Sequence, residues 1–288
     1  MNGRFVISLC FMVDHGTLLS MDNITEIEAL IDFKFPEEIT DLISTNNWYD
    51  FTGELNVFDF LSTNIADHQF KAAIISKLCQ IFPPHIEDDF SNDDAVGCVL
   101  KKHDDENYYS IVCPLDINNI FNDCNLVKKN SDYHEIHEKY LYLAPDSNID
   151  YARRCTNLFD KIKFSYDFHE TLSTLGNGQG IISYAEEITK VISTLNRINP
   201  ETREIKKVMH WIHEESGFEC SEQGKDKTHL FPKVTLDDDS EEKINCEFHI
   251  KINTRNDGGH IEYSRLYFGL MPYGQRKYSY IHHCGKHL

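Results

Sequence analysis

Residues 246–253 (CEFHIKIN), 261–268 (IEYSRLYF) and 277–283 (KYSYIHH) decide how the second half of this chain folds. Each is rich in β-branched and aromatic residues and alternates in polarity or carries strand formers. Asn256-Asp257-Gly258-Gly259 and Pro272-Tyr273-Gly274 lie between them as turn signals, so the three segments predict an antiparallel meander.

Alternation sorts the side chains by face. In the middle segment Glu262, Ser264, Leu266 and Phe268 share one face, and Tyr263, Arg265, Tyr267 and Gly269 the other. In the last segment Tyr278, Tyr280 and His282 fall together, opposite Ser279, Ile281 and His283. Pairing the two puts Arg265, tyrosines and a histidine on one surface. Such a surface can hold a phosphate, stack on a base and transfer a proton near neutral pH.

Upstream of the meander the pattern is helical. Ile181, Tyr184, Ile188, Val191, Leu195 and Ile198 form a stripe over 181–198, ended by Asn199-Pro200. A further helix is expected over 202–215, with Gly217 at the C-cap. Residues 150–160 also read as helix, Gly176–Gly180 as a flexible connection, and the polar stretch 221–242 as an exposed loop.

The first half predicts a small mixed sheet with three or four helices. Residues 4–13 (RFVISLCFMV) read as a buried strand, and 22–31 and 66–82 as amphipathic helices. A short helix is expected over 37–44 and a solvated acidic loop over 87–94. Residues 96–100 and 108–113 read as a hairpin around HDDEN, and 139–143 (KYLYL) as another strand. The fold class is therefore α+β in two domains, residues 1–145 and 146–288.

Charge divides the chain in the same place. Residues 1–150 hold 9 Lys and Arg against 27 Asp and Glu, whereas the remainder holds 19 against 20. An acidic half of this kind repels nucleic acid and anionic membrane and attracts a basic partner. Within 241–288 there are seven basic and five acidic residues, with five of the 15 histidines.

Nine cysteines at wide spacing, with no CxxC pair, argue for free thiols in a reducing compartment. The apolar run Phe5–Val13 is short and has no cleavage site, and no stretch is long enough to span a bilayer, so a cytoplasmic protein is expected.

The segment Ser264-Arg265-Leu266-Tyr267-Phe268, the turn at 271–276, Tyr278 to His283 and the tail Gly285-Lys286-His287 resemble the C-terminal hairpin of RelE/HigB-type endoribonuclease toxins. The resemblance implies metal-independent RNA cleavage without a cofactor, with Arg265, Tyr267, His283 and Lys286 as candidate catalytic residues; His282, on the face of Tyr278 and Tyr280, is a further catalytic candidate from alternation. Those toxins are compact and basic, unlike this long acidic chain. A metal site is the weaker alternative: Cys246-x-x-His249 has ligand spacing, and His282-His283-Cys284, Cys220 or His260 are candidates to complete it. His210-Trp211-Ile212-His213-Glu214 lacks the H-E-x-x-H order and reads as an ordinary helix face.

Two function classes remain open. In one, the chain is a toxin-like or phage-defence effector whose C-terminal sheet acts on RNA. In the other, it is a non-enzymatic adaptor or inhibitor whose acidic half binds a basic protein.

Overall fold

The structure is a computed structural model that describes residues 2–12, 20–32, 40–50, 56–82, 85–101, 107–112, 125–143, 145–223, 228–255 and 261–288. Helices and strands mix in an α+β manner, and the chain divides into two compact units, Met1–His137 and Glu138–Leu288.

The first unit is built on a five-stranded sheet of β1 (Asn2–Ile7), β2 (Thr40–Thr45), β3 (Ile86–Glu87), β4 (Asn107–Val112) and β5 (Leu126–Val127), in the order β3-β2-β1-β4-β5. Every pairing is parallel. This is the order of a doubly wound sheet, in which the connections carry helices to both faces. The expected mixed sheet is thus corrected to a parallel one.

Its helices are α1 (Leu9–Met12), α2 (Met21–Ile31), α3 (Val57–Asn64), α4 (His68–Ile81), α5 (Asn92–Lys101) and the start of α6 (Asn130–Leu143). Ser20, Asn56 and Asp67 cap α2, α3 and α4 by accepting hydrogen bonds from first-turn amides. On one face Val6, Ile43, Tyr109 and Ile111 pack with Phe11 of α1 and with Ala95 and Val99 of α5. On the other, Phe5 meets the rings of Tyr133 and His137 of α6, at 4.7 and 5.3 Å between centroids.

Several local expectations fail for identifiable reasons. Residues 96–100 are helical because Asp93 and Asp94 occupy the first turn of α5 and Ala95 and Val99 repeat at i, i+4. The proposed hairpin is therefore a helix followed by a strand, and residues 102–106 of its loop lie outside the described residues. KYLYL at 139–143 mimics alternation, yet Tyr133, Ile136, Tyr140 and Leu141 are all buried at helical spacing within α6. Residues 40–44, expected to be helical, belong to β2, while 37–39 are outside the described residues. The run 4–13 turns from β1 into α1 at Leu9, and the acidic stretch 87–94 holds the end of β3 and the start of α5.

The second unit contains α7 (Asn148–Leu158), β6 (Ile162–Phe164), α8 (Phe168–Leu172), α9 (Ala185–Asn196), α10 (Ile205–Ser216), β7 (Cys220–Glu222), β8 (Lys233–Thr235), β9 (Glu241–Lys243), β10 (Phe248–Arg255), β11 (Ile261–Leu270) and β12 (Ser279–Gly285). The meander β10–β11–β12 is antiparallel as its sequence predicts. Two short strands extend it to the order β6-β12-β11-β10-β7, with β6 parallel to β12 and β7 antiparallel to β10. The stretch 221–242 therefore carries strands, including the β8–β9 hairpin, where a loop was expected.

One sheet face is apolar. Ile250, Ile252, Leu266, Phe268, Ile281 and Cys284 are buried there. The backbone at Gly176 donates to the Ser264 hydroxyl at 3.3 Å, and Cys284 N donates to Thr171 Oγ1 at 3.1 Å. The Gly176–Gly180 connection is packed here, with Gly176 itself in left-handed backbone at φ 52°. Gly217, at φ 76°, caps α10 as the sequence requires.

Candidate active site on the C-terminal sheet

The opposite face of the meander carries polar rings. Register places Ser221 of β7 opposite His249 of β10, His249 opposite Tyr267 of β11, and Tyr267 opposite His283 of β12. These four residues form one row across four strands, because directly opposed residues in a sheet project to the same side. The next row holds Glu219 and the cations Lys251 and Arg265, with Lys251 directly opposite Arg265.

Within the first row the Ser221 hydroxyl lies 3.1 Å from His249 Nε2, and His249 Nδ1 lies 3.4 Å from the Glu247 carbonyl oxygen. A carbonyl only accepts, so the proton sits on Nδ1, and Nε2 accepts from the serine hydroxyl. The His249 and Tyr267 ring centroids are 5.3 Å apart, and those of Tyr267 and His283 6.0 Å. Burial lowers the pKa of His249, with Arg265 and Lys251 adding to the effect and the Glu247 carbonyl opposing it. It is thus a neutral imidazole at pH 7.

Arg265 is half-buried beside this row. Its Nη1 reaches Tyr267 Oη at 3.4 Å and Gln223 Oε1 at 3.5 Å, and the Tyr267 hydroxyl donates to the same Gln223 oxygen at 3.3 Å. Both partners are neutral, both contacts are long, and the buried Arg265 Nε has no hydrogen-bond partner. Among the described residues no carboxylate lies within ion-pair distance of it. Lys251, in contrast, is paired with Glu219 at 2.6 Å. A guanidinium drawn from water without a counter-ion is costly, and a bound anion removes that cost.

The sequence candidates separate into groups. Arg265, Tyr267 and His283 are brought together. His282 is not, because a bulge between Tyr267 and Phe268 leaves it as the extra residue of β12. Its ring instead stacks on Tyr280 at 6.3 Å, and its buried Nδ1 has no partner. The expectation that His282 and Tyr280 share a face holds in that stacked pair, but His283 is the histidine opposite Tyr267. Lys286 is exposed, and its carbonyl accepts from His283 Nε2 at 2.7 Å. Tyr267 is fully buried and His283 and His249 are nearly so, but His249 alone of the three meets a half-buried hydroxyl, that of Ser221, through its Nε2. The Tyr263 side chain and His260 lie outside the described residues.

Sequence reasoning missed three contributors, His249 as a proton-transfer group, Ser221 and Gln223. Ser221 and Gln223 sit in or beside a three-residue edge strand inside a polar stretch, where no periodic signal is available. His249 was visible as a strand residue, and counting register across the first turn places it opposite Tyr267.

The metal alternative loses its geometry. Cys246 is buried in an apolar cluster with Val234, Ile244, Met271 and Tyr280. Among the described residues no group of three or more His, Cys, Asp or Glu side chains is arranged to hold a metal ion. Among the described cysteines, Cys10, Cys79, Cys155, Cys220, Cys246 and Cys284 are free thiols.

Three cavities of about 220–250 Å³ lie elsewhere in the second unit, and none is lined by Arg265, His249 or Tyr267. The candidate site is a strip on a sheet face, suited to an extended chain more than to an enclosed small molecule. Among the described residues no helix is long and apolar enough to cross a membrane. Comparison with protein-family models, with curated proteins and with solved structures found no match for this chain.

Proposed function

We propose that the C-terminal unit binds RNA on this face and cleaves its phosphodiester bonds without a metal ion, in the manner of a toxin-like or defence effector. The observation that carries the reading is the half-buried Arg265, which has no carboxylate partner among the described residues and a buried Nε without a hydrogen bond, beside a neutral histidine. Arg265 binds a non-bridging phosphate oxygen and stabilises the charge that develops on it. His249 takes the proton of the attacking oxygen and returns it to the leaving oxygen. Tyr267 and Gln223 hold the guanidinium in place, and the His283 contact with Lys286 fixes the tail of the sheet.

The test is incubation of the purified full chain with an end-labelled RNA in EDTA. Cleavage is expected to fall by about 10²- to 10³-fold in Arg265→Met and by about 10²- to 10⁴-fold in His249→Gln. Absence of cleavage by the wild type, or wild-type rates in both variants, overturns the reading.

A second reading concerns the first unit, where Asp88, Asp89, Asp93 and Asp94 are all exposed around the turn from β3 into α5. We infer that this acidic unit docks a basic protein. Salt-sensitive binding of a basic protein probe that is lost on Asp→Asn changes at 88, 89 and 93 supports it; unchanged binding sinks it.

A further inference from the structure

The Ser221–His249 pair answers a question that the phosphodiester reading leaves open, namely which oxygen attacks phosphorus. A nucleophilic serine needs a base within hydrogen-bond reach and a third group that orients the base. Ser221 has the base at 3.1 Å, and the Glu247 carbonyl holds the imidazole in the tautomer whose free nitrogen faces the hydroxyl. The two residues are directly opposed on neighbouring strands, so the contact is set by backbone register and not by a flexible loop. Ser221 is half-buried on the edge strand β7, where a substrate approaches without opening the sheet. Other charged groups facing His249 are Arg265 and Lys251, which repel a second proton on the ring, and Glu219, which favours it and is itself paired with Lys251.

Resting on the phosphodiester reading, we propose that Ser221 is the nucleophile of this site and that cleavage proceeds through a covalent phosphoseryl intermediate. The substrate class is then any accessible single-stranded phosphodiester, because the reaction no longer requires the 2′-hydroxyl of RNA. In the first step Ser221 Oγ forms a bond to phosphorus while its proton moves to His249 Nε2. The bond from phosphorus to the leaving oxygen breaks, and that oxygen takes the proton from His249. In the second step a water oxygen attacks the phosphoseryl phosphorus and gives its proton to His249. The phosphorus–Oγ bond breaks, and the proton returns to Ser221.

The experiment uses the full chain, with RNA and DNA oligonucleotides of the same sequence as probes, and mass spectrometry of acid-quenched reactions. Cleavage of both oligonucleotides and a phosphoryl or nucleotidyl adduct on the peptide containing Ser221 are expected. Ser221→Ala is expected to lose the adduct and about 100-fold or more of both activities, with the thermal midpoint unchanged. If RNA is cut, DNA is not, and Ser221→Ala stays within threefold of wild type, the attacking oxygen is the substrate's own. That result overturns the serine nucleophile and leaves the Arg265 reading standing. If the wild type cuts neither, the phosphodiester reading itself falls and takes this inference with it.

Discussion

Acidification from pH 7.5 to 5.5 is expected to destabilise the C-terminal unit through His249, His282 and His283. All three have their pKa lowered, first by desolvation on burial. In the unfolded chain each returns to about 6.5. Below that pH the unfolded state takes up protons that the folded state refuses, so stability falls as pH drops toward the folded pKa values and is fully present above about 6.5. One histidine contributes a slope of at most about 1.4 kcal/mol per pH unit, and three together no more than about 4 kcal/mol per unit. Carboxylates held low by partners, such as Glu219 beside Lys251, act in the same direction but only at lower pH, below about 4.5.

The chain has two tryptophans, Trp48 in the first unit and Trp211 on α10 in the second. A Trp48→Phe background therefore makes Trp211 fluorescence a report on the C-terminal unit. Urea unfolding at pH 7.5, 6.5 and 5.5 is expected to give a falling midpoint with little change in slope. His283→Gln retains a donor toward the Lys286 carbonyl and is expected to remove about one third of the pH dependence. Equal stability at pH 7.5 and 5.5, or higher stability at 5.5, refutes the burial of these rings and with it the neutral base at the site.

Two further substitutions test the fold. Gly269→Ala places a methyl group against the Asn245 carbonyl and 2.6 Å from Ile244 Cγ2, where the connection from β9 to β10 packs closely on β11. A loss of about 2 kcal/mol, or about 4–8 °C in melting temperature, is expected by calorimetry. In the first unit Asn92 accepts from Thr45 Oγ1 at 2.6 Å, donates its backbone N–H to Asn47 Oδ1 at 2.8 Å and donates its side-chain amide to Asn47 O at 3.1 Å. Asn92→Ala leaves the buried Thr45 hydroxyl without its partner and is expected to cost about 2–3 kcal/mol in the Trp48 urea transition.

The C-terminal meander was legible because long strands with turn residues between them leave a period-2 pattern that helices do not imitate. The parallel sheet was not, since β3 and β5 are two residues each and β1 turns into a helix within one apolar run. KYLYL misled because five residues were read without the nine upstream that set the period of α6. At the site, alternation alone put Arg265 and Tyr267 on one face. A bulge is invisible to alternation, so deciding between the two candidates His282 and His283 required the register itself. Ser221 and Gln223 act through contacts formed across strands far apart in sequence, and nothing local announces them.

The central claim is that Arg265 waits for a phosphate. The most direct measurement is the ¹⁵N–¹H resonance of Arg265 Nε in the full chain, assigned by its loss in Arg265→Lys, during titration with a 2′-O-methyl oligoribonucleotide. The account predicts a saturable shift of that resonance, weakened by added salt and by inorganic phosphate. An Arg265 Nε signal that stays fixed while the oligonucleotide binds, or no binding at all, contradicts it.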